Sequence, residues 1–341
     1  MTKLNLLVAY GGQSTEHDVS IASARNIVAA LDETKYTVTT CFISRQGRWF
    51  LQDGGAVTLN TENEALPVLG GKAFIAQVNN QKIDVDVLFP VLHGKNGEDG
   101  SVQGLAQLLG VPFVGPSILS AAVTMDKDMT KRLLERAGIP VVPWKTWIVT
   151  DTEPTYEAIS AELGTDVFVK PASAGSSVGV SHVTSNKSWS DVLQVAAKNS
   201  EMVLIEKTIR GREIEVAVLG NHEVSISQPG EIIANDDFYS YDAKYSEQST
   251  SQAVIPAELS DEVVSRLKRY ALDAYYAVEG AGMSRVDFFV TNDNEVFLNE
   301  INSIPGFTDI SMYPKLFMQQ GIAYSELLDK LITLAQEVRY N

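Results

Sequence analysis

Residues 3 to 10 form a short apolar run that stops at Gly11-Gly12, and a helical pattern follows in Val19, Ile21, Ala22, Ala24, Ile27, Val28 and Leu31. An apolar run of strand length that breaks at glycine and resumes with helical periodicity is a βα opening. Thr15, with Asp18 three residues on, is expected to cap the helix. Strand-like runs recur at 37 to 44 and 84 to 91, where Ile83 to Leu92 alternates and then turns apolar. A glycine-rich loop (94 to 100) and a helix at 101 to 109 come next. Strands alternating with helices predict a doubly wound, parallel-sheet α/β domain over residues 1–120. The opening alone would also suit a nicotinamide-dependent dehydrogenase, but no G-x-G-x-x-G fingerprint is present.

A second unit, 121–208, contains an amphipathic stretch from Lys127 to Ala137 that stops at Gly138-Ile139-Pro140. Strands at 145 to 150 and 166 to 170, a Gly/Ser loop, a helix near 187 to 199 and a strand at 202 to 206 give it an α+β pattern. The third unit, 209–341, has hairpin-type strands, a polar Tyr/Ser-rich stretch from 236 to 252, a long helix (260 to 279), two strands and a C-terminal helix. A length of 341 residues agrees with two or three domains.

Charge narrows the partners. Against 43 acids stand 27 bases, a net of −16, and no Lys/Arg run exceeds two residues, so nucleic acid is not an expected partner. The one cysteine, Cys41, excludes an intrachain disulfide framework and a multi-cysteine zinc site. The first ten residues lack a signal-peptide core, and no apolar stretch approaches the ~18 residues that span a bilayer. A cytoplasmic protein without membrane attachment is expected.

The chemistry concentrates in three segments. In Ser284-Arg285-Val286-Asp287 and Asn299-Glu300-Ile301-Asn302 strand alternation puts Arg285 with Asp287, and Glu300 with Asn302, on shared faces. A hairpin loop at 292 to 295 would set Asp287 opposite Glu300 and Arg285 opposite Asn302. Hard oxygen ligands without His or Cys suit Mg²⁺; a solvated hairpin face with an Arg/Asp ion pair is the plain alternative. The loop from Lys170 through Gly175-Ser176-Ser177 to Gly179 offers small residues, hydroxyls and a lysine to an anion, although a flexible surface loop has the same composition. His93 lies at the C-terminal mouth of a buried strand, where open α/β sheets bind ligands. His17, His182 and His222 have no metal-ligand spacing and read as structural or exposed. No Ser/His/Asp or Cys/His nucleophile signature and no H-E-x-x-H motif is visible.

In order, Tyr10-Gly-Gly-Gln-Ser-Thr-Glu16, His93-Gly-Lys-Asn-Gly-Glu-Asp-Gly, Met125-Asp-Lys127, Gly175-Ser176-Ser177, Ile205-Glu206-Lys207, Arg285-Val-Asp287, Asn299-Glu-Ile-Asn302 and Pro305-Gly306-Phe-Thr resemble the D-alanine:D-alanine ligases of the ATP-grasp superfamily. The resemblance spans nearly the whole chain. It implies an α/β and α+β architecture in which a pre-ATP-grasp domain precedes two α+β domains that clamp ATP. Lys127 and Lys170 would contact phosphates and the Ser176-Ser177 loop would close over them. Glu206, Lys207 and Ile209 would face adenine, and Glu213 the ribose. Asp287, Glu300 and Asn302 match the ligands of two Mg²⁺ (or Mn²⁺) ions.

The implied reaction phosphorylates the carboxylate of one D-alanine and passes the acyl group to the amine of a second, supplying the peptidoglycan precursor D-alanyl-D-alanine. Arg285 and the backbone of Gly306 match oxyanion donors. Glu16, with Ser176 and Tyr245, matches the grip on the first substrate, with His93 in the same pocket, and Ser311 with Lys244 matches the carboxylate site of the second. Residues 236 to 252 correspond to the family's ω-loop. Tyr245 and Met312 favour D-alanine as second substrate over D-lactate, the alternative, and over D-serine. Intact Arg285, Asp287, Glu300 and Asn302 argue against a catalytically silent nucleotide binder. Ala172 and Ala174 stand where relatives often carry polar residues, which bears on loop dynamics and nucleotide affinity. The resemblance also implies a homodimer formed through the N-terminal domain.

Overall fold

The computed structural model describes residues 3–176, 178–233 and 252–337. Strand β1 (Leu4–Gly11) is the centre of the first sheet, flanked in parallel by β2 (Tyr36–Ile43) and β7 (Val87–Val91), with β3 (Trp49–Leu51) antiparallel on the β2 edge. Its side chains alternate between two cores. Leu6, Val8 and Tyr10 pack with Ile21, Ala24 and Ile27 of α1 (His17–Ala30), whereas Leu7 and Ala9 pack with Val102, Ala106 and Leu109 of α2 (Ser101–Leu109). A strand buried on both faces reads as a continuous apolar run, and this unit is wound on both sides as expected.

One local expectation fails, and one small sheet was not foreseen. Helix α1 starts at His17 with Glu16 at its N-cap and no side-chain capping bond; Asp18 instead pairs with Arg45 through both carboxylate oxygens at 2.9 Å. A small antiparallel sheet of β4 (Ala65–Val68), β5 (Ala73–Ala76) and β6 (Gln81–Asp84) fills the connection to β7. Strands of four residues are too short to carry a periodic signal, and Pro67 weakens it further.

Helices α3 (Ile118–Met125) and α4 (Lys127–Arg136) lead to the second sheet, and Asp126 caps α4 by accepting the Met129 N–H. This sheet orders β10 (Ser181–Val183), β9 (Val167–Pro171), β11 (Met202–Lys207) and β8 (Trp144–Ile148), all antiparallel. Val167, Val169, Val203 and Ile205 bury one face under α5 (Tyr156–Leu163) and α6 (Trp189–Ala197). Alternation turns Phe168, Lys170 and Glu206 to the other face.

The third sheet runs in the order β15 (Gln252–Val254), β14 (Gly230–Ile233), β12 (Arg212–Leu219), β16 (Met283–Val290) and β17 (Val296–Asn302), with β13 (Ser225–Ile226) beside β12. Ile214, Val216, Val218, Val286, Phe288 and Val290 pack under Val263, Leu267, Ala271 and Ala274 of α7 (Asp261–Ala277). Glu213, Glu215, Arg285 and Asp287 take the opposite face, towards the second sheet.

The C-terminal end forms two helices, α8 (Met312–Gln319) and α9 (Tyr324–Glu337). Leu316, Phe317, Leu328, Leu331 and Ile332 close the core on the α1 side of the first sheet, and Asp329 receives Lys35 at 2.5 Å and the Tyr36 hydroxyl at 2.8 Å. The last helix thus ties the first sheet to the third. Leu331 is 1% exposed, and Leu331→Ala is expected to cost about 2 to 5 kcal/mol of unfolding free energy in urea titration; a cost below ~1 kcal/mol would show that α9 is a peripheral appendage.

Candidate active site

The site begins with strand register. Arg285 pairs with Asn302 and Asp287 with Glu300, and a bulge after Asp287 aligns Phe288 with Leu298. Bulges re-aim side chains next to functional sites. Across the other edge of β16, Glu215 of β12 faces Asp287. The buried Arg285 guanidinium bonds both oxygens of Asp287, at 2.8 Å from Nε and 2.7 Å from Nη2, and Nε lies 3.0 Å from Glu215. Burial by itself would lower the Arg285 pKa, but Asp287 and Glu215 outweigh it and hold the group charged. Asn302 donates its amide N–H to Asp287 at 2.8 Å, which leaves its carbonyl oxygen available as a ligand.

Among the described residues no group of three or more His, Cys, Asp or Glu gathers in a metal-holding arrangement. The donor set on this hairpin is instead two carboxylates and an amide oxygen on one face, all hard oxygens, and it fits Mg²⁺ or Mn²⁺.

Opposite the hairpin, lysines converge on the second sheet. Glu206 is bound by Lys131 at 2.9 Å and by Lys170 at 2.6 Å. Burial pushes the Glu206 carboxyl up, yet the two ammonium groups hold it below the usual carboxylate range. Lys131 is itself pushed down to about 8 by burial, against the pull of Glu206. Lys127, at the start of α4, donates to the Ala174 carbonyl at 2.8 Å and lies 3.9 Å from Glu300, so it spans the loop and the hairpin. Burial lowers its pKa, with Glu300 opposing.

A single cavity joins these parts. Glu16, His93 and Glu98 line it from the first sheet, Lys127 and Ser176 from the second unit, and Arg285, Glu300, Asn302 and Gly306 from the third. Gly94 and Gly175 leave room for the Glu16 carboxylate: a Cβ on the first would lie 3.1 Å from its Oε2 and on the second 3.2 Å. Ser176 adopts φ 52°, a left-handed backbone that a serine rarely takes without local support. His93 Nδ1 is 3.2 Å from the Ile304 carbonyl oxygen. Ser311 accepts the Thr308 N–H at 2.9 Å and stands so close to Gly306 that a Cβ there would meet its hydroxyl at 2.8 Å.

The structure therefore brings Glu16, His93, Lys127, Ser176, Arg285, Glu300, Asn302 and Gly306 together, with Lys170 and Glu206 on the facing sheet. Glu213 lies on the cleft side of β12, and Ile209 in the connection from β11 to β12 is half-buried. Lys207 is exposed, and strand alternation turns its side chain away from Glu206, so only its backbone can meet a ligand in the cleft. Ser177, Lys244, Tyr245 and nearly all of the 236–252 segment lie outside the described residues. His17 is buried with Nδ1 2.6 Å from the Gly12 carbonyl, and exposed His182 contacts Asp166 at 2.6 Å, which agrees with their reading as structural or exposed.

Sequence reasoning passed over Lys131, Glu215 and Glu98. The first recurs one helical turn after Lys127, a detectable spacing; the second depends on sheet order, which no local pattern reveals. Glu98 is inside the His93-to-Gly100 segment but announces no role. Enclosure in the cavity, reinforced by the Glu16 carboxylate, pushes its carboxyl up to about 8.

Two α+β sheets facing each other over buried lysines and a carboxylate-bearing hairpin define an ATP-grasp enzyme. Family models of the D-ala D-ala ligase N-terminus and C-terminus match residues 5–116 and 133–333. The chain is 46% identical to the D-alanine–D-alanine ligase of Sodalis glossinidius over 98% of its own length and 95% of that protein's. It is 43% identical to D-alanine–D-alanine ligase A of Escherichia coli K12, covering 99% and 97%. Among solved structures, the D-alanine-D-alanine ligase of Coxiella burnetii superposes with a TM-score of 0.88 at 39% identity, over 98% of this chain and 94% of that one. The VanG D-Ala:D-Ser ligase of Enterococcus faecalis reaches the same TM-score of 0.88 at 34% identity, over 98% and 100%. The chain belongs to the D-alanine–D-alanine ligase family.

The Glu98 carboxyl has a stability consequence. Between about pH 4.5 and 8 the folded protein keeps this proton while the unfolded chain has lost it, so the group makes stability fall as pH rises through that window. Relative to the wild type, Glu98→Gln is expected to gain stability with rising pH, by at most about 1.4 kcal/mol per unit. Urea unfolding at pH 5, 6.5 and 8 measures it; parallel pH profiles for the two proteins would remove the shift.

Proposed function

We propose that this protein joins two molecules of D-alanine to D-alanyl-D-alanine with ATP, through D-alanyl phosphate, and so supplies the peptidoglycan precursor. The observation that carries this reading is the position of Arg285. It lines one cavity together with a carboxylate that can grip an amine, Glu16, and a lysine that can grip phosphate, Lys127. A ligase of this kind stabilises charge twice, first on the transferred phosphoryl group and then on the tetrahedral oxyanion.

In this reading Glu206, the Lys207 backbone and Ile209 receive adenine, Glu213 the ribose, and Lys127, Lys170 and the Ser176-Ser177 loop the phosphates. Holding Glu206 ionised, as Lys131 and Lys170 do, keeps it an acceptor for an exocyclic amine. Divalent cations held by Asp287, Glu300 and Asn302, two Mg²⁺ or Mn²⁺ ions, would offset phosphate charge when bound. Glu16, with Ser176 and Tyr245, orients the first D-alanine so that its carboxylate faces the γ-phosphate, and His93 shares that pocket. Arg285 and the Gly306 N–H receive the negative charge that develops on the acyl oxygen. Ser311 and Lys244 hold the carboxylate of the second D-alanine, whose amine displaces phosphate. No side chain acts as a nucleophile. The 236–252 segment would cover the site and keep water from the acyl phosphate.

The proposal divides the chain at 1–120, 121–208 and 209–341, with a homodimer formed through the first part and a cytoplasmic location. Among the described residues no helix is long and apolar enough to cross a membrane.

The reading is tested by incubating the protein with ATP, Mg²⁺, D-alanine and equal D-lactate or D-serine near neutral pH and weighing the products. D-alanyl-D-alanine with ADP is expected; a depsipeptide would make it the alternative, a D-alanine:D-lactate ligase, and absence of ADP would sink the ligase reading. Asp287→Asn should lower turnover by at least about a hundredfold, since it removes one ligand charge and half of the Arg285 fork; near-normal steady-state rates would defeat the metal assignment. Tyr245→Phe should admit D-lactate to the second site, and an unchanged product ratio in the same assay would locate specificity elsewhere.

A further inference from the structure

Glu98 has no part in the mechanism above, yet its carboxyl lines the same cavity as Glu16. The Gly94 N–H donates to Glu98 Oε2 at 2.8 Å, while the Glu16 carboxylate lies beside the same glycine, 3.1 Å from where a Cβ would be. Both carboxyls thus meet the same backbone unit of the His93 loop. Lys127, from α4, is the cation that acts on Glu98 among the described residues, and it also serves Ala174 and Glu300. Among the described residues, His93, Arg285 and Glu300 are the other titratable groups that line the cavity, and Arg285 is engaged by Asp287 and Glu215. Two acids lining one cavity cannot both ionise without cost, and Lys127, which also faces the hairpin, offsets only part of it for Glu98.

We propose that Glu98 is a second carboxyl of the amine site for the first substrate, protonated while the site is empty and ionised when an α-ammonium enters the cavity that it lines with Glu16. The exchange balances: the Glu98 carboxylic acid and the incoming ammonium give a carboxylate–ammonium pair, and the proton leaves to solvent. The empty cavity therefore avoids a pair of bare carboxylates, and the occupied one meets a single cation with two anions. An amine-bearing amino acid gains from this arrangement, and a hydroxy acid does not. The inference rests on the ligase reading for the identity of the ligand.

Calorimetric titration of D-alanine into the full chain, saturated with AMP-PNP and Mg²⁺, measures the proton directly when repeated in Pipes and in Tris at about pH 7. A carboxyl held near 8 is about nine-tenths protonated there, so close to one proton per enzyme is expected to appear in the buffer. Glu98→Gln keeps an oxygen for the Gly94 N–H and carries no proton to release, and it is expected to lose that signal while D-alanine still binds, several-fold more weakly. Binding to the wild type without buffer dependence, or equal proton release from the variant, would overturn the role of Glu98 and leave the ligase reading standing. Failure of D-alanine to bind at all, with AMP-PNP bound, would overturn both.

Discussion

The buried fork between Arg285 and Asp287 is the interaction on which the site depends. It needs two residues two apart on β16, Glu215 directly across β12 and Asn302 directly across β17, so it exists only when three strands keep one register. A guanidinium taken out of water is costly unless anions surround it, and removing one partner of such a group leaves an uncompensated charge. Register and charge therefore constrain each other: a one-residue slip of β17 would turn Asn302 and Glu300 into the α7 core and strand Arg285.

The same economy of charge organises the facing sheet. Glu206 sits between Lys131 and Lys170, and Lys127 reaches from the start of α4 to the loop after β9 and to Glu300. Cations and anions alternate through the cleft, so a highly charged nucleotide can enter without either sheet holding a large unbalanced field. The first sheet supplies the remaining acids, and α8 and α9, packed on its α1 side, keep it at a set distance from the hairpin. The Phe307 N–H donates to the Ser23 hydroxyl at 3.2 Å, which ties the Gly306 loop to α1.

Much of this was legible in order along the chain. The βα opening, the helix from 101 to 109 and the Asp287–Glu300 register followed from periodicity and from the length of one hairpin loop, because those signals are local. The capping expectation at Thr15 and Asp18 failed since Glu16, between them, serves the cavity rather than the helix, and Asp18 found Arg45. The β4–β6 sheet escaped because its strands are too short for alternation to register. The family motifs located Glu16, Lys127, Ser176 and Gly306, which no spacing argument would have brought together across three sheets.

What the sequence by itself determined is the inventory: strands and helices in order, a polar face on one hairpin, small residues in two loops, no nucleophile and no metal-binding histidine or cysteine cluster. Those are properties of neighbours in the chain, set by alternation, helical pitch and side-chain chemistry. Tertiary structure alone decided which acids stay ionised. Glu206 is held charged by lysines from β9 and α4, Arg285 by acids from two strands, and Glu98 is pushed the other way by enclosure beside Glu16. Desolvation and through-space charge depend on distances between segments far apart in sequence, and folding alone sets those distances.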